Sequence, residues 1–183
     1  MTQVVYTLSG FPANRVVGSG TSLDSARLRH MMSDYFHVNP RNVHAYVIGE
    51  HGDSEFVPWS QALLATKPIL ELCGENGEAV CRQRFDEIEE EVRTAAYKII
   101  EAKSATYYGI GMALTRITKA ILGDEHSVLT VSAMLRGEYG QMDVFAGVPC
   151  IINQNGVQRV LPLSLTPEEL EKLGRSCDTL REG

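Results

Sequence analysis

The chain has 183 residues, a length that fits one domain or at most two small ones. Its 44% hydrophobic and 22% charged residues are those of an ordinary globular protein, which excludes collagen-like, low-complexity and disordered classes. With 17 basic and 23 acidic side chains the net charge is −6 and the pI near 5.4, and a general nucleic-acid binder needs a basic face instead.

No window reaches the roughly 18 consecutive apolar residues that a membrane span demands. The opening MTQVVYTLSGFPANR lacks the basic start and long apolar run of a secretory signal. A soluble, cytoplasmic chain without nucleic-acid or membrane partners is expected. Thr2–Leu8 reads as the tail of a helix, stopped by Ser9-Gly10-Phe11-Pro12, and a chain that begins in mid-element suggests a fragment. Arg15-Val16-Val17 is a short β-branched run that ends in Gly18-Ser19-Gly20. Thr21 or Ser22 supplies an N-cap oxygen for a helix from about Leu23 to Phe36, with Leu28, Met31, Met32 and Tyr35 as its apolar stripe.

After a turn at Pro40–Asn42, His44–Ile48 reads as a strand and Phe56–Leu64 as a second extended run, with Gly74–Gly77 a polar loop. Val80–Ser104 carries the strongest helical pattern, with Phe85, Ile88, Val92, Ala95, Ala96 and Ile99 on one face. Its acidic run Glu89–Glu91 is most simply solvated. A kink near Thr106–Gly109 precedes a helix over Ile110–Leu122. Strands are expected at Val128–Leu135, Asp143–Ile152 and Gln158–Leu163, with Asn155-Gly156 as a hairpin turn. Thr166-Pro167-Glu168-Glu169 opens a terminal helix with a cap, a proline at its first position and acids in its first turn. The order predicts an α+β domain with mostly antiparallel strands.

The four cysteines, at 73, 81, 150 and 177, form no CxxC pair, so no zinc or thioredoxin motif is expected and all should be reduced. Cys150, in the apolar run GVPCII, reads as a small buried hydrophobe.

Three clusters carry possible chemistry. Gly18-Ser-Gly20-Thr-Ser-Leu23 lies where a dinucleotide-binding GxGxxG would lie, but its third glycine is Leu23, and Asp24 would repel a pyrophosphate. A tight turn into a helix is the better reading. Asp24 and Arg27, at i and i+3, share a helix face. They form either a surface ion pair or a pocket pair, in which the guanidinium grips a carboxylate and the Asp fixes a histidine. His51, between Gly49-Glu50 and Gly52-Asp53 at a strand end, is that histidine. A metal site on His51 and Asp53 lacks a third ligand of recognisable spacing, so none is expected.

GSGTSLDSARLRHMM, then NVHAYVIGEHGDSE, then AKSATYYGIGMALTRI closely resemble the bacterial L-lactate dehydrogenases of the lactate/malate dehydrogenase superfamily, over essentially the whole chain. GEHGDS and LDxAR carry the resemblance, and GEHGDS rather than GGHGD tilts it to the lactate branch. The resemblance implies an NAD-dependent L-lactate dehydrogenase with His51 as proton donor and acceptor and Asp24 as the carboxylate that orients it. It makes Arg27 the clamp on the substrate carboxylate, Thr106 a pocket residue and Ile110 the apolar residue behind the nicotinamide. Arg29 and His44 match positions that bind fructose 1,6-bisphosphate in allosteric members, and two solvent-exposed cations are the alternative.

The family's NAD-binding Rossmann domain has no counterpart in these residues. Residues 1–183 are therefore expected to form one substrate-binding and catalytic domain, inactive alone, with NAD held mainly elsewhere, that assembles as a homo-oligomer. A malate or other 2-hydroxyacid dehydrogenase domain remains open, as does a non-enzymatic oligomerisation or binding module.

Overall fold

The computed structural model describes residues 1–73 and 78–183, so the loop expected at Gly74–Gly77 lies outside the described residues. Among the described residues five α-helices form: α1 (Thr2–Ser9), α2 (Ser22–Phe36), α3 (Glu78–Lys103), α4 (Tyr108–Leu122) and α5 (Pro167–Glu182). Short strands β1 (Val43–His44), β2 (Leu63–Leu64) and β3 (Lys67–Pro68) make one antiparallel sheet. The long β4 (Ser127–Arg136) and β5 (Met142–Asn153), with β6 (Gly156–Val160), make another. This is the expected α+β architecture. No helix among the described residues is long and apolar enough to cross a membrane.

Local signals explain two of the helix ends. Gly10 at φ 68° closes α1 in the left-handed region. Thr166 and Glu169 form a full capping box on α5, with Pro167 behind it. On α3, Phe85, Ile88 and Val92 are buried as the periodicity requires, while Ala95, Ala96 and Ile99 are only partly covered.

Several expectations fail for identifiable reasons. The β-branched run Arg15–Val17 forms no ladder. Ala13–Arg15 is a 3-10 turn, and pairing to β4 is reduced to one bridge from Gly18 to Ser132. The predicted strand His44–Ile48 is paired only at its start and by a single bridge from Ile48 to Phe56, because between them the hydroxyls of α2 replace a neighbouring strand: Ser25 Oγ accepts from Val47 N at 2.9 Å, and Thr21 Oγ1 donates to the Val47 carbonyl at 2.6 Å. For the same reason Thr21 does not cap α2 with its side chain, and the Ser22 hydroxyl goes to the Thr130 carbonyl. Phe56–Leu64 contains a 3-10 turn at Trp59–Gln61, and the last strand starts and ends earlier than expected, at Gly156–Val160.

Glu89 is not solvated. It accepts from Trp59 Nε1 at 3.0 Å and pairs with Arg93 at 3.2 Å, and burial raises its pKa. Cys73 and Cys81 are joined in a disulfide with their Cα atoms 5.7 Å apart, against the expectation of four thiols. Pairing depends on how the chain folds back, which sequence separation does not reveal. Cys150 and Cys177 are free and buried, and burial pushes the Cys150 thiol up to about 12.

Two apolar clusters bracket residues 49–55. One lies between the β4–β5–β6 sheet and α4 and α5, built on residues such as Ile117, Val131, Leu135, Val148 and Leu173. The other lies among α2, α3 and the small sheet, with Leu28, Met32, Phe85 and Ile88. Val47 and Val57 enter the second cluster while their neighbours Ile48 and Phe56 enter the first, and Ile48 and Phe56 bridge each other. Alternate side chains are thus anchored on opposite sides at both ends of residues 49–55. The loop that carries His51 is held by two cores.

Candidate active site

Asp24 sits in the first turn of α2 and is only 2% exposed. It meets two cations. Arg27 Nη1 donates to Asp24 Oδ1 at 3.0 Å, and His51 Nδ1 lies 2.8 Å from Asp24 Oδ2. The pair at i and i+3 is therefore no ordinary surface bridge, since its acidic member is buried and also serves the histidine. The other N–H groups of Arg27 have no protein acceptor among the described residues, although its side chain is largely covered.

His51 is placed by backbone geometry. Gly49 has φ 102° and pairs with Gly147 of β5, and a Cβ at Gly49 would come within 2.5 Å of Ser176 Oγ on α5. A side chain at this position is excluded on both counts. The Glu50 N–H donates to the same Ser176 hydroxyl at 2.7 Å, which ties the loop to α5. With Nδ1 turned to Asp24 and half of the side chain exposed, Nε2 is left on the solvent side.

A second carboxylate, unassigned by sequence reasoning, joins the site. Glu55 is 4% exposed, and its Oε2 lies 3.5 Å from His51 Nδ1. Asp24 Oδ2 and Glu55 Oε2 are buried without an aligned hydrogen bond, so positive charge on the imidazole is what compensates them. Polar contact with Asp24, then with Glu55, outweighs burial and raises the His51 pKa to about 10. This environment favours the protonated ring at neutral pH. One ligand atom each of Asp24, His51 and Glu55 falls within 4.8 Å of the others, a spacing that a cation could also use, but these are the distances of an imidazolium held by two acids.

Thr106 and Ile110 are not joined to this trio by any hydrogen bond among the described residues. Thr106 lies half-buried between α3 and α4, and Ile110 in the first turn of α4. That turn packs on the start of α2, since a Cβ on Gly109 would meet Leu23 Cδ2 at 3.0 Å. Arg29 and His44 do come together: with Arg41 and Tyr46 they line a separate cavity of about 450 Å³, in which burial lowers the pKa of Arg29. The Gly18–Gly20 turn packs on β4, where a Cβ on Gly20 would lie 2.6 Å from Ser132 N. It serves close backbone approach rather than a phosphate.

The sequence pattern of the lactate/malate dehydrogenase α/β C-terminal domain matches residues 21–183. The chain is 53% identical over 182 residues to L-lactate dehydrogenase 2 of Bacillus cereus, covering all of this chain and 58% of that protein. Against L-lactate dehydrogenase of Oceanobacillus iheyensis the identity is 49% over 181 residues, covering 99% of this chain and 56% of the relative. A lactate dehydrogenase from a deep-sea metagenome library of the Medee basin superposes with a TM-score of 0.94 at 46% identity, over 99% of this chain and 58% of that one. The minor L-lactate dehydrogenase of Enterococcus mundtii superposes with a TM-score of 0.92 at 45% identity, over 99% of this chain and 57% of its own. The chain spans less than two thirds of the length of these relatives. With the Asp24–Arg27–His51 constellation built into that fold, the chain belongs to the lactate/malate dehydrogenase family, as its α/β C-terminal domain.

Proposed function

We propose that this domain is the substrate-binding and proton-transferring half of an NAD-dependent L-lactate dehydrogenase. The observation that carries the reading is the buried Asp24, which holds His51 at 2.8 Å and Arg27 at 3.0 Å at once. Arg27, one N–H on Asp24 and the rest without a protein acceptor among the described residues, offers a planar fork to the carboxylate of a 2-oxo or 2-hydroxy acid. Protonated His51 then donates from Nε2 to the oxygen of the 2-oxo acid, and in the reverse direction takes the hydroxyl proton. A nicotinamide coenzyme, when bound, supplies or accepts the hydride. Ile110, half-buried and apolar in the first turn of α4, is assigned to the ring end of such a coenzyme. Thr106 is assigned to the wall around the substrate side chain. No phosphate loop stands among the described residues, which are assigned only the nicotinamide end of the coenzyme.

A reading as a pure oligomerisation module leaves two buried carboxylates around a histidine without purpose, and burial of ionisable groups is costly. Choice between lactate, malate and other 2-hydroxy acids rests on the proposed lactate branch. Assembly as a homo-oligomer is part of the proposal. Met112, 70% exposed on α4, and Leu8, 80% exposed on α1, are apolar surface that a second copy would cover.

The test is direct. These residues alone are expected to turn over no pyruvate and to bind NADH weakly, while the same residues fused to the N-terminal part of a relative reduce pyruvate with NADH. Sedimentation of both samples reads the assembly. Low-micromolar NADH binding by the 183 residues alone, or a fusion that ignores pyruvate, would overturn the reading.

We further assign the cavity of Arg29, Arg41 and His44 to fructose 1,6-bisphosphate. Calorimetry with the wild-type chain and Arg29→Gln checks it: heat of binding that survives the substitution unchanged counts against this assignment.

A further inference from the structure

We propose that Glu55 is a second positioning carboxylate, which shares the Nδ1 side of His51 with Asp24 and holds the imidazole in its protonated form. The inference rests on the reading of His51 as the proton carrier, and adds a residue to it.

Charge bookkeeping around the ring is the first reason. Asp24 already answers Arg27 through Oδ1 at 3.0 Å, so its charge is not wholly available to His51. A protonated His51 needs one more anion for the group to be neutral, and Glu55 is the residue whose oxygen stands there, 3.5 Å from Nδ1.

Isolation of Glu55 is the second reason. A carboxylate kept only for structure should accept hydrogen bonds, yet Glu55 Oε2 is buried and accepts none that is aligned. What α3 contributes is a bond from Arg93 Nη2 to the Glu55 main-chain carbonyl at 3.3 Å, not to the carboxylate. The Arg93 guanidinium is shared with Glu89 and Glu90 on its own helix. Burial, with repulsion from Asp24, raises the pKa of Glu55 overall, and His51 first and then Arg93 pull it back, so its charge depends on that of the imidazole beside it.

The other groups around His51 are accounted for. From α2 come Asp24 and Arg27. Within the loop, Glu50 accepts from Ser54, and Asp53 accepts from Tyr97 of α3 at 3.1 Å. What α5 brings is the neutral Ser176 hydroxyl. None of these replaces Glu55 beside Nδ1.

The consequence is chemical. An imidazole that keeps its proton above neutrality is poised to receive a 2-oxo acid, so Glu55 biases the site to the reductive direction as pH rises. Removal of an anion lowers the proton affinity of its cationic neighbour, and the sign of the effect on His51 is therefore downward.

The experiment is a titration of the five histidines of the intact chain by ring-nitrogen NMR, in wild type, Glu55→Gln, Glu55→Asp and Asp24→Asn. Glu55→Gln is expected to lower the His51 midpoint by about one pH unit, tenfold in proton affinity, with His30, His44 and His126 unmoved. Glu55→Asp, which withdraws the carboxylate by one methylene, should fall between wild type and Gln, and it carries the test if the Gln variant fails to fold. Asp24→Asn should lower the midpoint further. An unchanged His51 midpoint in both Glu55 variants, or equal shifts at the distant histidines, overturns the proposal. No substrate or coenzyme enters this titration. A His51 that responds to Glu55 in a fused enzyme that never reduces pyruvate would sink the dehydrogenase reading alone.

Discussion

His51→Gln, in the chain fused to the N-terminal part of a relative, is expected to lower kcat for pyruvate reduction by about a thousandfold, within the range that positioned proton transfer contributes. Glutamine can still offer an N–H to the substrate oxygen, so binding is not the step that fails. What it lacks is a proton it can release. KM should therefore change little, because Arg27 remains to hold the substrate carboxylate. The loss should also persist across pH, whereas wild type declines only as His51 gives up its proton towards about 10. Steady-state kinetics from neutral to alkaline pH check both statements. A kcat within tenfold of wild type would remove His51 from the proton-carrying role.

Arg27→Lys should fail differently. A guanidinium places two parallel N–H bonds on a planar carboxylate, and an ammonium is a single point charge. In this fold Arg27 has a further task, since its Nη1 also holds Asp24 Oδ1 at 3.0 Å while its other N–H groups have no protein acceptor among the described residues. A lysine cannot keep Asp24 and grip a substrate at the same time. Loss of a bidentate charged contact costs about 2–3 kcal/mol, so kcat/KM should fall about a hundredfold, mostly through KM. Near-normal efficiency would return Asp24 and Arg27 to a plain ion pair and leave the carboxylate clamp unassigned.

Much of this was legible in the sequence. The periodicity of α3 foretold its buried face of Phe85, Ile88 and Val92, and Thr166-Pro167-Glu168-Glu169 foretold the cap of α5. Helices report themselves because their partners lie within four residues along the chain. The spacing of Asp24 and Arg27 placed them on one face, and the glycines around His51 marked a loop with unusual backbone. The GEHGDS and LDxAR motifs then pointed to the family that the comparisons bear out. The strand expected at His44–Ile48 was misjudged because β-branched residues suit any extended buried segment, and here serine and threonine hydroxyls took the place of a strand.

The sequence by itself determined which residue types are present, where the helices run, and that an acid, a guanidinium and a histidine stand in motifs of one family. Only the tertiary structure decided that Asp24 is buried, that Cys73 reaches Cys81, and that Glu55 turns its carboxylate to the same nitrogen as Asp24. The physical reason is that α2 and the His51 loop meet only because two separate apolar clusters grip the alternate residues Val47, Ile48, Phe56 and Val57. Periodicity records which face of an element is apolar, but not which other element that face will find.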